Sequence, residues 1–179
     1  MAIQYEAINE TLEHFIMQQK VFFVATATEE GRINLSPKGM DTLRVLNETC
    51  VLWLNLTGSG NETAAHLLEN DRMTLMFCAF EGDPKILRLY GSAKVINTTD
   101  GNWQKSMDLF PTIPGARQII DMRVDLVQTS CGMAVPYYKF QEERQQLLRW
   151  ADKKGDIGLK QYRQEKNQIS LDGKPTGTP

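Results

Sequence analysis

Apolar residues Ile8, Leu12, Phe15 and Ile16 recur at helical spacing, which predicts an amphipathic helix over residues 5–19. From residue 21 the period shortens to two, and β-branched and aromatic side chains take over. Residues 21–26 and 32–36 flank a Glu29-Glu30-Gly31 turn and read as a hairpin, with Pro37 ending its second strand. Two more antiparallel pairs follow: 42–46 with 50–56 around Asn47-Glu48, and 71–80 with 85–96 around Glu81-Gly82-Asp83-Pro84. In the last of these strands Leu87, Leu89, Ala93 and Val95 share one face with Gly91, while Arg88, Tyr90, Ser92 and Lys94 take the other, so one side is core and the other wet. A short helix over 100–109 precedes the break Pro-Thr-Ile-Pro-Gly, after which Ile120, Met122, Val124 and Leu126 alternate in one more half-buried strand. From about residue 141 the chain turns helical and strongly charged, with Leu147, Leu148 and Trp150 on one side.

This order predicts a mainly β fold with flanking helices: a closed or nearly closed antiparallel barrel with helices at its rim. Strand–helix–strand alternation and GxGxxG are both missing, which argues against a Rossmann unit. A length of 179 residues with 41% hydrophobic content fits one domain. Residues 1–140 would form the barrel, and 141–179 a helical extension and tail of the same domain.

Charge narrows the partners. Twenty Lys plus Arg against 22 Asp plus Glu give a net charge of −2, so no field favours nucleic acid or an anionic membrane. The opening MAIQYEAINETLEHFIMQQK lacks a basic and then apolar leader, and no later apolar run approaches membrane length, so a cytoplasmic protein is expected. Cys50, Cys78 and Cys131 are odd in number and far apart, which suggests neither a disulfide framework nor a zinc site. Cys50, Cys78 and Trp53 read as core residues, and His14 and His66 as structural side chains of helices.

Chemistry concentrates in two stretches. NLTGSGNETAAHL, residues 55–67, runs from a strand through two glycines into a helix, so unpaired N–H groups gather at a positive helix end suited to phosphate. A competing reading is a self-sufficient cap, with Ser59 and Glu62 in capping-box spacing and worth ~0.5–2 kcal/mol; the Glu62 carboxylate would also repel a phosphate. The second stretch, NLSPKG at 34–39, ends a strand in a cation, Lys38, whose alternative role is an edge lysine that discourages strand addition. Lys38, Arg44, the GSGNET turn and Arg88 all lie on strands or strand ends that a small barrel would bring together.

SPKGMDTLRVL, LWLNLTGSGNETAAHLLENDRMTLMF and ILRLYGSAKVI, taken in order, resemble the pyridoxamine 5′-phosphate oxidase-like family of FMN-binding split barrels, and the match covers most of the chain. QTSCGMAVP and EKNQISLDGKP are similar to one uncharacterised branch of it. The resemblance implies a six- to seven-stranded antiparallel split β-barrel and a homodimer with two FMN sites at the subunit interface. It places Lys38, Arg44, Asn61, Glu62 and Thr63 along the phosphate and ribityl side and counts Ser36, Gly39 and Ser59 among the cofactor-binding residues. Arg88 would come from a later strand, and Ser130-Cys131-Gly132 would approach the ring from the partner chain. Glu62 stands where the oxidases proper commonly carry a basic residue. Their terminal His- and Arg-bearing segment, which grips the substrate phosphate, has no counterpart after His66, which argues against vitamin B6 oxidation. The implied function is an FMN-dependent oxidoreductase acting on a small molecule. The alternatives are a flavin-binding or scavenging dimer without turnover, or a split barrel holding a deazaflavin or haem, the last disfavoured by the scarcity of histidine. The charged C-terminal extension is expected to pack on the dimer and narrow the flavin cleft.

Overall fold

Every period-two segment becomes a strand in the computed structural model, which describes residues 2–179. The elements run β1 (Ile3–Tyr5), α1 (Glu10–Gln18), β2 (Val21–Thr26), β3 (Asn34–Gly39), β4 (Leu43–Asn47), β5 (Cys50–Leu56), α2 (Glu62–Glu69), β6 (Arg72–Cys78), β7 (Lys85–Asn97), α3 (Trp103–Met107), β8 (Ala116–Cys131) and α4 (Gln146–Lys166). Seven strands follow one path, β3-β2-β6-β7-β8-β5-β4, and all pairings between strands are antiparallel. β3 and β4 stand at opposite ends of that path without pairing to each other, so the barrel is split. The 16-residue β8 is its spine: β7 lines one side of it, and β5 and then β1 line the other.

Four predicted boundaries move, the first two for reasons visible in the local geometry. The expected helix over 5–19 begins only at Glu10, because Asn9 takes the capping position and its Oδ1 accepts from the Leu12 N–H at 3.0 Å. Ile3–Tyr5, ahead of it, adds to β8 instead. Pro37 does not end its strand: β3 is an edge strand, so a residue without an N–H is tolerated, and pairing to β2 continues through Pro37↔Phe23 to Gly39↔Val21. The expected helix over 100–109 shrinks to the five residues of α3, and α4 starts at Gln146 and is interrupted at Gly155, whose φ of 62° leaves the right-handed helical region.

Two apolar layers hold the sheet. Inside the barrel, Leu12, Phe15 and Ile16 of α1 close over Phe22, Trp53, Phe77 and the inward residues of β7 and β8. Outside, Leu52, Leu54, Ile96 and Ile119 are covered by Phe110 and Ile113 and by α3. Gly91 permits the inner layer to close, since its register shifts against β8 and a Cβ there would lie 1.9 Å from the Arg123 carbonyl oxygen. No helix of the described residues is long and apolar enough to cross a membrane.

The segment after α4 folds back on its own chain. An isolated bridge between Ile169 and Pro175 makes a tight return, and Asn167, Ser170, Thr176 and Thr178 are buried. It fastens to the body through Lys174 with Glu69 and Asp172 with Arg32.

Candidate functional site

Alternation along β3 turns Asn34, Ser36 and Lys38 inward, half-buried, and leaves Leu35 and Pro37 exposed. Opposite them stand Trp53 and Asn55 of β5, the GSGN turn and the first residues of α2. These surfaces and Arg117, at the start of β8, enclose a cavity of about 300 Å³. Arg117 reaches it through a bulge. The β5–β8 register skips between Asn55↔Gln118 and Leu56↔Ala116, so the extra residue is Arg117, and two consecutive polar side chains, Arg117 and Gln118, are both buried.

The guanidinium is held by neutral oxygens alone. Nη1 donates to Asn167 Oδ1 at 2.9 Å, and Nη2 donates to the Gly60 carbonyl at 2.8 Å and Asn55 Oδ1 at 3.2 Å. Its Nε–H has no acceptor among the described residues, although Arg117 is only 4% exposed. Burial, and then the nearby Arg163, pull its pKa down to about 10. Lys38 lies 4.9 Å over the Trp53 ring, and burial followed by repulsion from Arg117 lowers its pKa to about 8. Glu62 is the one acidic residue lining the cavity, and its carboxylate already accepts from the Leu171 N–H at 3.0 Å. Two cations thus share a small polar cavity without an engaged counter-charge. Such an arrangement is costly when empty of charge and favours an anion.

Around the cations runs a satisfied amide network. Asn55 Nδ2 donates to Asn61 Oδ1 at 2.9 Å, and Asn61 Nδ2 donates to Gln118 Oε1 and Thr178 Oγ1, each at 2.8 Å. Asn34 Nδ2 donates to Thr63 Oγ1 at 3.1 Å. Asn61 occupies the capping position of α2 without a side-chain cap bond, so the capping box expected of Ser59 and Glu62 does not form: the tail claims the Glu62 carboxylate.

The cavity gathers Ser36, Lys38, Ser59, Asn61, Glu62 and Thr63 from the residues singled out in the sequence. Gly39 lies beyond it, in the lining of a larger groove of about 1110 Å³ that shares Lys38 with the cavity. Arg44 sits elsewhere, paired with Asp41, donating to the Leu109 carbonyl at 2.8 Å and stacked over Phe110. Arg88 donates to Ser130 Oγ at 3.3 Å, and Cys131 is exposed at the far end of β8; neither lines the cavity of this chain. His66 is buried against Thr26 Oγ1 at 3.1 Å, and His14 lies exposed beside Gln18. Among the described residues no cluster of His, Cys, Asp and Glu could hold a metal ion. Sequence reasoning missed Arg117 altogether. The sequence carries only an indirect mark of it: Arg117-Gln118 are two consecutive polar residues ahead of the apolar and polar alternation that fills the rest of the strand.

Residues 8–131 match the model of the family described as pyridoxamine 5′-phosphate oxidase. The pyridoxamine 5′-phosphate oxidase family protein ustO of Aspergillus flavus is 36% identical over 194 residues, which cover 98% of this chain and 78% of that protein. Among solved structures, a single-residue variant of HupZ of Group A Streptococcus superposes with a TM-score of 0.56 at 17% identity, over 69% of this chain and 99% of that one. A candidate pyridoxamine 5′-phosphate oxidase of Lactobacillus delbrueckii gives 0.54 at 16% identity, over 69% of this chain and 94% of that one. At these identities the two structures share the split-barrel fold.

Proposed function

Since this chain belongs to the pyridoxamine 5′-phosphate oxidase family, we propose that it binds flavin mononucleotide and serves as a flavin-dependent oxidoreductase for a small substrate. The observation that carries this reading is the pair of cations, Lys38 and Arg117, facing one cavity whose single carboxylate is turned to the tail. The residues present fit a phosphate end. An orphaned N–H on a buried guanidinium, an ammonium whose charge burial disfavours, and the Ser36 and Ser59 hydroxyls are all donors. The volume of about 300 Å³ suits the phosphate and adjoining polyol, and the larger groove, with Phe80, Tyr138 and Phe140 in its walls, offers apolar surface for a ring and substrate.

When bound, the flavin would supply the electron-carrying chemistry. This chain's residues do the rest: Lys38 and Arg117 neutralise the phosphate, Trp53 supports the lysine, and the amide network fixes the wall behind them. Vitamin B6 oxidation is no part of the proposal, because both histidines are placed outside the cavity. A homodimer with partner residues completing each site belongs to the same reading. The absorbance spectrum of the purified protein, followed by identification of the chromophore released on denaturation, tests it. FMN near one per chain is the expected result, and a colourless protein that takes up no added FMN overturns it. Bleaching by NADH or NADPH then separates an oxidoreductase from a passive flavin binder.

A further inference from the structure

The family match ends at residue 131, yet the cavity wall is braced from behind by residues 167–178. Asn167 is the centre of that brace and is fully buried. Its Oδ1 accepts from Arg117 Nη1 at 2.9 Å, its Nδ2 donates to the Gly58 carbonyl at 3.0 Å, and its own carbonyl accepts from Thr176 Oγ1. One amide therefore ties the guanidinium to the turn that forms the opposite wall. Thr178 Oγ1 accepts from Asn61 Nδ2 at 2.8 Å and anchors that side chain to the tail.

What Asn167 does not carry is charge. An aspartate there would keep an acceptor for Arg117 and nearly the same shape, but it would lose the donor to Gly58 and neutralise the guanidinium from inside the protein. With asparagine the buried cation is oriented and left uncompensated, so its attraction stays available to a ligand. Asn55, on the other side of Arg117, is likewise a neutral amide.

We propose that Asn167 is a positioning residue that orients Arg117 without neutralising it, and that it thereby sets the preference of the cavity for a phosphomonoester over the same molecule lacking phosphate. This rests on the reading of the cavity as a flavin mononucleotide site and adds to it a determinant from outside the family-matched region. The tail is then part of the binding site in an energetic sense, although it does not line the cavity.

The test compares FMN with riboflavin, which lacks the phosphate, by equilibrium titration of the full-length protein and its Asn167→Asp and Asn167→Ser variants. Asn167→Asp is expected to reduce the preference for FMN over riboflavin by about tenfold or more, the worth of one charge-assisted contact, while the lost bond to Gly58 falls on both flavins alike. Asn167→Ser, which keeps a small neutral group, should retain more of the preference than Asn167→Asp. A role confined to stability would weaken both ligands equally, and an unchanged FMN-to-riboflavin ratio in Asn167→Asp would overturn the proposal while leaving the flavin reading intact. If the wild type bound neither flavin, the flavin reading would fall. Inorganic phosphate, followed by tryptophan fluorescence, would then decide the positioning role. A response lost in Asn167→Asp sustains it, and a response that is absent from the wild type or unaltered by Asn167→Asp ends it.

Discussion

Lys38 is placed where its charge is a burden to the ligand-free fold. Burial and Arg117 hold its pKa at about 8, against an ordinary value of 10.5, so between those two pH values the unfolded chain binds the extra proton. Stability of the ligand-free protein should therefore rise as pH climbs from about 8 toward 10.5, and Lys38→Met should flatten that slope in denaturant titrations. At neutral pH the same substitution should raise the thermal midpoint of the ligand-free protein while weakening FMN, an exchange of function for stability. Affinity for a phosphate should also decline as pH rises and Lys38 loses its proton, although a bound dianion would itself move that loss upward. Lys38 was readable in the sequence as a cation at a strand end. Arg117 was not, because its inward position depends on a bulge between strands that lie about sixty residues apart in the chain, and no local pattern records which residue a register shift leaves over.

Elements followed the sequence wherever one period dominated. β5, β6 and β7 fall within a residue or two of their predicted spans, β6 and β7 through alternation and β5 through a continuous apolar run that is buried on both faces. The departures are at places where tertiary pairing overrides local preference: Tyr5, expected at the start of the helix, joins Ile3 and Gln4 in a short strand beside β8, and Pro37 is accepted because its strand has a free edge. Gly91 shows how tightly two elements can be drawn together. Gly91→Ala would drive a methyl group into the Arg123 carbonyl, and the strand cannot yield without breaking the β7–β8 pairing. A loss of at least about 1–3 kcal/mol in a urea titration is expected, the scale of overpacking, with misfolding as the extreme. A stability equal to wild type would show that the two strands can separate at that point.

For the whole molecule, the C-terminal segment is an integral wall. Removing residues 167–179 would strip partners from Arg117, Asn61, Gly58 and Glu62 at once and expose the turn they brace. Amide hydrogen exchange over residues 57–66 should accelerate in that truncated chain while β6 and β7 keep their protection, because the inner layer makes no use of the tail. Uniform acceleration would mean that the tail stabilises the barrel as a whole. The family's split barrel was readable from the order of motifs, whereas the tail's return to its own chain was not: its polar, glycine-containing sequence gives no periodic signal, and its partners lie about a hundred residues earlier. The proposed dimer belongs to this scale too, and sedimentation at micromolar concentration should give twice the mass of 20.4 kDa. A monomer there would remove the partner chain from the site.

Equilibrium titration of the apoprotein with FMN, run in parallel on wild type and Lys38→Met, measures the anion cavity itself. Saturation near one FMN per chain is expected, weakened about tenfold to a hundredfold in Lys38→Met by loss of a charge-assisted phosphate contact. Equal affinity in the two proteins, or no binding by the wild type, would contradict the assignment of this cavity to the flavin phosphate.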